Sequence, residues 1–284
     1  MLNSSMKRLI RSFLLGFVCL LLIVVNGADR AASQNTLRVA VEPVYAPFEF
    51  RNANGEIQGF DIDLIREIGK ASGFEVQFQS IAFDGIIPAL QAGTVDAAVG
   101  AMTITPERSQ VVSFSRPYFK AGLAIATRTD APEASQFEEL KGRTIAVQIG
   151  TTGAQAVQKL GNAQIRTYDA AVLALQALSN GNVDAVVHDI SILQYALKTG
   201  NLRDIRVSGQ LLTEEFYGIP TPLNSPNLER INQGLTTILN NGTYERIYRK
   251  WFAAAPPELP ETIAATTQTQ RSSWLEVITS ALPV

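Results

Sequence analysis

From Thr36 onward the apolar positions fall into short runs whose period alternates between that of a strand and that of a helix. TLRVAVE (36–42) is rich in Val and Leu and predicts a buried strand. In GFDIDLIREIGKASG (59–73), Ile62, Ile65, Ile68 and Ala71 recur three apart, which predicts a helix ended by Gly73. FEVQFQSI (74–81) alternates as a strand does. FDGIIPALQAG (83–93) predicts a short helix stopped at Gly93, and TVDAAVGAM (94–102) a further strand. This order implies a parallel sheet with right-handed crossovers.

The same order returns downstream. GRTIAVQIG (142–150), AQIRTY (163–168) and NVDAVVHD (182–189) read as strands, separated by helices in TTGAQAVQKLG (151–161) and DAAVLALQALSNG (169–181). Wording is repeated as well as order. ALQAGTVDAAVG (89–100) and ALSNGNVDAVVH (177–188) share seven of twelve residues without a gap. Helix stops and strand valines are common, yet the copies end two equivalent units, so two similar α/β lobes are expected. The segments 113–128 and 211–225 read as extended connections. NLERINQGLTTILNNGTYERIYRKWF (227–252) predicts one helix to Asn241 and a short one from Thr243. Chain that returns as helices packs back on the first lobe, giving two crossings, a hinge and a cleft at the carboxyl ends of the strands. The expected division is lobe 1 at 36–120 plus 217–252, lobe 2 at 121–216, and a Pro-, Thr- and Gln-rich tail at 253–284.

The amino terminus differs from the rest. Lys7, Arg8 and Arg11 precede the apolar run FLLGFVCLLLIVV (13–25), short for a membrane span and suited to a secretory signal peptide of residues 1–28, cleaved near Gly27 or Ala28. Left uncleaved, it would be a membrane anchor. Cys19, the single cysteine, lies within that run, so the exported part has no thiol and no disulfide. The net charge of −2 and the lack of a basic block exclude nucleic acid as a partner.

Chemistry gathers at the strand ends. Thr105 and Pro106 read as a helix start, which places Arg108 near free N–H groups. An arginine there can hold a carboxylate through two parallel hydrogen bonds; taken alone, it reads as a surface residue. Asp189 ends a strand and suits a ligand ammonium, or else caps the helix of ISILQYAL. His188, the one histidine, has no companions for a metal site and no nucleophile to activate. The Gly150-Thr151-Thr152-Gly153 turn opens a helix and can receive a small anion, but it lacks the lysine of a phosphate loop. Tyr45 and Phe83 follow strands, as an aromatic clamp or as core.

One anion clamp, one cation acceptor and an aromatic slot describe a receptor for a free amino acid. With APFEF, GFDIDL, the run from 83 to 123, AVQIGTT, VDAVVHD and NGTYERIYRKWF, the chain from about 36 to 252 resembles the periplasmic amino-acid-binding proteins of ABC importers, and among them most the glutamine binders. The resemblance implies an α/β fold of two lobes with parallel-core sheets, joined by a two-strand hinge near 118–122 and 213–217, with the ligand between the lobes. It implies that Arg108 takes the ligand carboxylate, helped by N–H groups of Thr103, Gly150, Thr151 and Thr152. Asp189 takes the ammonium, with the Ala101 carbonyl and the Thr103 hydroxyl. Tyr45 and Phe83 flank the stem, and Glu42, Gln148 and His188 read the side-chain end. It also implies a monomer that uses no cofactor and delivers its ligand to an integral-membrane permease. Gln148 and Glu42 stand where glutamine binders have lysine and aspartate. A pocket with Arg108 against Glu42 and Asp189 therefore leans to arginine or lysine, while the remaining match leans to glutamine. Two alternatives remain: a periplasmic dehydratase of the prephenate or arogenate type, and the binding domain of a permease fusion, which the apolar ending WLEVITSALPV brings to mind.

Overall fold

The computed structural model describes residues 35–263 apart from 201 and 210. The signal-peptide expectation and the tail beyond 263 lie outside them. Strands β1 (Thr36–Val41), β5 (Glu75–Ser80) and β6 (Ala97–Ala98) form a parallel sheet in the order β5-β1-β6. Helix α1 (Phe60–Ser72) and helix α2 (Phe83–Gln91) are its crossovers. In the second lobe β10 (Thr144–Gln148), β11 (Gln164–Tyr168) and β12 (Ala185–Asp189) pair in parallel in the equivalent order β11-β10-β12. Helices α4 (Thr152–Gln158) and α5 (Ala171–Ser179) connect them.

The repeated phrase is the same step in both units, α2 to β6 and α5 to β12. Its shared residues have scaffold roles. Gly93 and Gly181 adopt φ of 67° and 72°, a left-handed turn that glycine enters without cost, and so release the chain from each helix. The shared aspartates each secure the first strand of their strand–helix–strand–helix–strand unit. Asp96 accepts the Arg38 N–H at 2.9 Å, and Asp184 accepts the Thr144 N–H at 2.7 Å.

The connections read as extended contain more order than alternation revealed. Strand β9 (Leu123–Arg128) pairs antiparallel with β12 and with β13 (Ile205–Val207), extending the second sheet to five strands. Strand β8 (Phe119–Ala121) pairs with β14 (Glu215–Tyr217), and β7 (Val112–Phe114) with β15 (Pro220–Pro222). The two strands of the β8–β14 ribbon are the two crossings between lobes, and the β7–β15 ribbon lies beside them in the first lobe. At the second lobe's edge, Gly122 approaches the other crossing so closely that a Cβ would stand 2.2 Å from the Thr213 carbonyl oxygen. A small antiparallel sheet of β2 (Val44–Tyr45), β3 (Glu49–Arg51) and β4 (Ile57–Gln58) leads into α1. Helix α6 (Ile190–Thr199) follows β12 directly, and α7 (Asn227–Asn240) and α8 (Thr243–Phe252) pack on the first lobe, with Leu259 against the same core. Among the described residues no helix is long and apolar enough to cross a membrane.

One charged residue occupies the apolar side of α1. Asp61 is fully buried, and its Oδ2 accepts the Ala101 N–H at 2.9 Å and the Tyr118 hydroxyl at 2.8 Å. It thereby anchors Ala101, whose φ of 48° is unusual for a residue with a side chain. Burial raises the Asp61 pKa from 3.8 to about 6 in spite of those bonds. The folded chain then binds this proton more tightly than the unfolded chain does. Its contribution to stability is complete below pH 3.8 and is lost as pH rises through 6. Two pH units at about 1.4 kcal/mol each amount to roughly 3 kcal/mol. Urea unfolding at pH 3.5 and at pH 6.5 should show wild type losing about that much more stability than Asp61→Asn over the interval. Equal pH dependence in the two proteins would refute the assignment.

Candidate functional site

The carboxyl ends of β6 and β10 face each other across the crossings, and the loops that follow them form one cavity. Tyr45, Phe83, Ala101, Thr103 and Arg108 line it from one side, and Gln148, Thr151, Thr152 and Asp189 from the other.

Arg108 comes from α3 (Pro106–Ser109), a helix of one turn that begins as the sequence predicts. Pro106 occupies the first turn, and the Thr105 hydroxyl accepts the Arg108 backbone N–H at 3.2 Å. The side chain is not a surface arginine. It is 6% exposed, and its Nη1 donates to the Thr103 carbonyl at 2.7 Å. Nη2 donates across the cleft to the Gly150 carbonyl at 2.9 Å. Phe83 lies under the guanidinium, 5.4 Å from ring centre to Cζ, so this aromatic residue supports the cation as well as lining the cavity. Burial pushes the guanidinium below its ordinary pKa, while the charges of Glu215 and Asp189 oppose that shift. An arginine stays charged under such conditions.

Asp189 stands opposite. It does not cap α6, because its side chain makes no capping bond. Instead Oδ2 accepts the Tyr45 hydroxyl at 2.7 Å, a bond between lobes, and the buried Oδ1 has no partner among the described residues. Burial works to raise its pKa; the neighbouring imidazole of His188 and the Tyr45 hydroxyl outweigh that and hold it below the usual carboxylate value.

Glu42 and His188 do not line the cavity. They sit behind Gln148, which bridges them across the cleft. His188 Nδ1 lies 2.8 Å from the Asp189 backbone nitrogen and 3.2 Å from its Oδ2, and Nε2 pairs with Gln148 Oε1 at 3.1 Å. Gln148 Nε2 in turn donates to Glu42 Oε2 at 2.8 Å, and the Phe83 N–H to Glu42 Oε1 at 3.1 Å. Burial raises the Glu42 pKa, with the Gln148 and Phe83 bonds pulling it back. At the turn after β10, the Thr151 hydroxyl accepts the Ala154 N–H at 3.2 Å and starts α4.

Three buried acids escaped sequence reading, Glu49 on β3 among them. Asp61 holds the Ala101 loop, and Glu215 on β14 accepts the hydroxyls of Thr103 and Thr152. Both had a signal. Asp61 shares the face of Ile65 and Ile68, and Glu215 lies two residues from buried Tyr217 on a strand. Among the described residues no cluster of His, Cys, Asp and Glu could hold a metal ion.

Two α/β lobes, one two-stranded crossing between them and a cleft lined by opposite charges define a hinged two-lobe receptor for a small ligand. The family model of the bacterial extracellular solute-binding proteins, family 3, matches residues 37–254, and the chain belongs to that family. The ABC transporter arginine-binding protein 1 of Escherichia coli strain K12 is 35% identical over 230 residues, which are 78% of this chain and 93% of that one. An ancestral arginine-binding protein solved with arginine bound is 42% identical, with a TM-score of 0.73, and covers 77% of this chain and 98% of its own. The same identity, TM-score and coverage hold for an ancestral arginine-binding protein solved with glutamine bound.

Proposed function

We propose that the chain is the periplasmic solute-binding component of an ABC-type importer for polar amino acids. One observation carries this reading: a buried guanidinium and a buried carboxylate with an unpartnered oxygen meet at a single cavity between two hinged lobes. Such a pair matches the carboxylate and ammonium of an amino-acid zwitterion. Thr103, Gly150, Thr151 and Thr152 supply further N–H groups to the carboxylate. Ala101 supplies a carbonyl to the ammonium, and Tyr45 and Phe83 flank the stem.

The preferred ligand is a basic L-amino acid, arginine first. Three carboxyl groups, Glu42, Asp189 and Glu215, are buried around one guanidinium. A zwitterionic head leaves that imbalance untouched, and a cationic side chain reduces it. Glutamine is the second reading, because the Gln148 amide, which lines the cavity with Glu42 behind it, carries both an acceptor and a donor suited to a ligand amide. The arginine- and glutamine-bound relatives accord with this pair of ligands.

The monomer closes on its ligand, passes it unchanged to an integral-membrane permease, and lives in the periplasm after export by its signal peptide. Lobes 36–120 plus 217–252 and 121–216 are the moving bodies. Conversion of arogenate to phenylalanine by the protein would overturn the claim that the ligand leaves unchanged.

Calorimetry of the mature chain with arginine, lysine, histidine, glutamine and glutamate tests the reading. Failure of all five to bind below about 100 μM, roughly −5.5 kcal/mol, would refute it. Glu42→Gln replaces a charged acceptor with a neutral one, a difference on the order of 1 to 1.5 kcal/mol. Arginine should therefore weaken about tenfold and glutamine less than threefold. Equal losses would remove Glu42 from any part in selection.

A further inference from the structure

Glu215 belongs to the hinge, yet its carboxylate collects hydroxyl groups from both lobes. Oε2 accepts from Thr103 Oγ1 at 2.7 Å and from Thr152 Oγ1 at 2.9 Å. Oε1 accepts from Thr213 Oγ1 at 3.0 Å. Thr103 lies on the loop after β6 in the first lobe, and Thr152 opens α4 in the second. The Thr213 hydroxyl also accepts the Leu123 N–H at 2.9 Å, so the same carboxyl touches both crossings through one intermediary. The strand that carries Glu215 is itself fastened to the Thr103 loop. The Ile104 N–H donates to the Phe216 carbonyl at 2.9 Å, and the Gly218 N–H to the Met102 carbonyl at 3.1 Å.

A hydroxyl group has one proton. When Thr103 and Thr152 give theirs to Glu215, their oxygens keep only lone pairs for other partners. Both threonines line the cavity. An ionised Glu215 therefore turns two ambivalent hydroxyls into acceptors, the polarity an ammonium group requires. Through its bonds to Thr103 and Thr152 it also links the first lobe to the second.

We propose that Glu215 is a positioning residue of the ligand site, which presents Thr103 and Thr152 as hydrogen-bond acceptors and links the two lobes without touching the ligand. The proposal rests on the amino-acid-binding reading, since it requires a ligand with an ammonium group.

A double-mutant cycle on the mature chain tests it, with whichever of L-arginine and L-glutamine binds wild type more tightly. Glu215→Ala should weaken binding about tenfold in the wild-type background and less than threefold in a Thr103→Val/Thr152→Val background, where both hydroxyls to be positioned are gone. Glu215→Gln retains a carbonyl oxygen for the threonines, and its affinity should stay within threefold of wild type. This variant also serves where Glu215→Ala does not fold. Equal losses in the two backgrounds overturn the proposal, as does a tenfold loss in folded Glu215→Gln. A wild-type protein that binds neither amino acid refutes the amino-acid-binding reading itself, a result distinct from both.

Discussion

Arg108→Ala should abolish measurable binding of every L-amino acid alike, raising Kd by about three orders of magnitude. The guanidinium is 6% exposed and spans the cleft, with one nitrogen on the Thr103 carbonyl and the other on Gly150. Truncation removes the cationic partner of the ligand carboxylate. It also leaves the carboxyl groups of Asp189, Glu215 and Glu42 buried around the site without that guanidinium to offset them. Losing one member of a buried, hydrogen-bonded charge pair costs on the order of 2 to 5 kcal/mol, and three decades of affinity correspond to about 4. The fold should survive, because the bond that starts α3 runs from the Arg108 backbone, not its side chain, to Thr105. Arg108→Lys should fall between the two, keeping the charge and losing the fork. Calorimetry with arginine and glutamine, alongside a melting curve, decides the matter. A folded Arg108→Ala protein with wild-type affinity would sink the carboxylate clamp.

The regular elements were legible in the sequence because each depends on local pattern. Ile62, Ile65 and Ile68 announce α1, Gly93 and Gly181 announce the ends of α2 and α5, and Thr105-Pro106 announces α3. The matched strand order of the two sheets was written in the duplicated phrase, down to the aspartates that secure the first strand of each repeated unit. The fate of 113–128 was not legible. A single apolar run there divides between a hinge ribbon and an antiparallel strand of the second sheet, and the choice is made by partners far along the chain. Depth was hidden for the same reason. Glu42 and His188 were placed correctly at strand ends, but only the folded chain shows Gln148 reaching across to stand in front of both. Asp61 and Glu215 were overlooked because carboxyl groups are rarely fully buried, so a charged residue in an apolar register reads as surface. Asp189 was ambiguous on local grounds, since one strand-to-helix junction supports a cap and a cleft-facing acid equally well.

That ambiguity makes Asp189→Asn the most informative substitution after Arg108. It should weaken arginine and glutamine together, by about a hundredfold each, and leave their ratio nearly unchanged. The carboxylate already accepts the Tyr45 hydroxyl on Oδ2, and Oδ1 is buried without a partner. Asparagine fills the same volume but replaces one acceptor with an N–H₂ donor. If that group turns toward Tyr45, the bond across the lobes must reverse its polarity. If it turns toward the cavity, it points a donor at an ammonium. In either orientation the negative charge is lost, and loss of a buried charged partner is worth roughly 2 to 3 kcal/mol, close to a hundredfold. Every amino acid presents the same ammonium, so the effect cannot discriminate between side chains, in contrast to Glu42→Gln. Stability separates the two roles of the residue. A helix cap removed costs about 1 kcal/mol of folding free energy, whereas Asp189 makes no capping bond to α6. The variant should therefore melt close to wild type while binding poorly. A protein that instead keeps its affinity and melts early would return Asp189 to the role of cap and leave the ligand ammonium without its counter-charge.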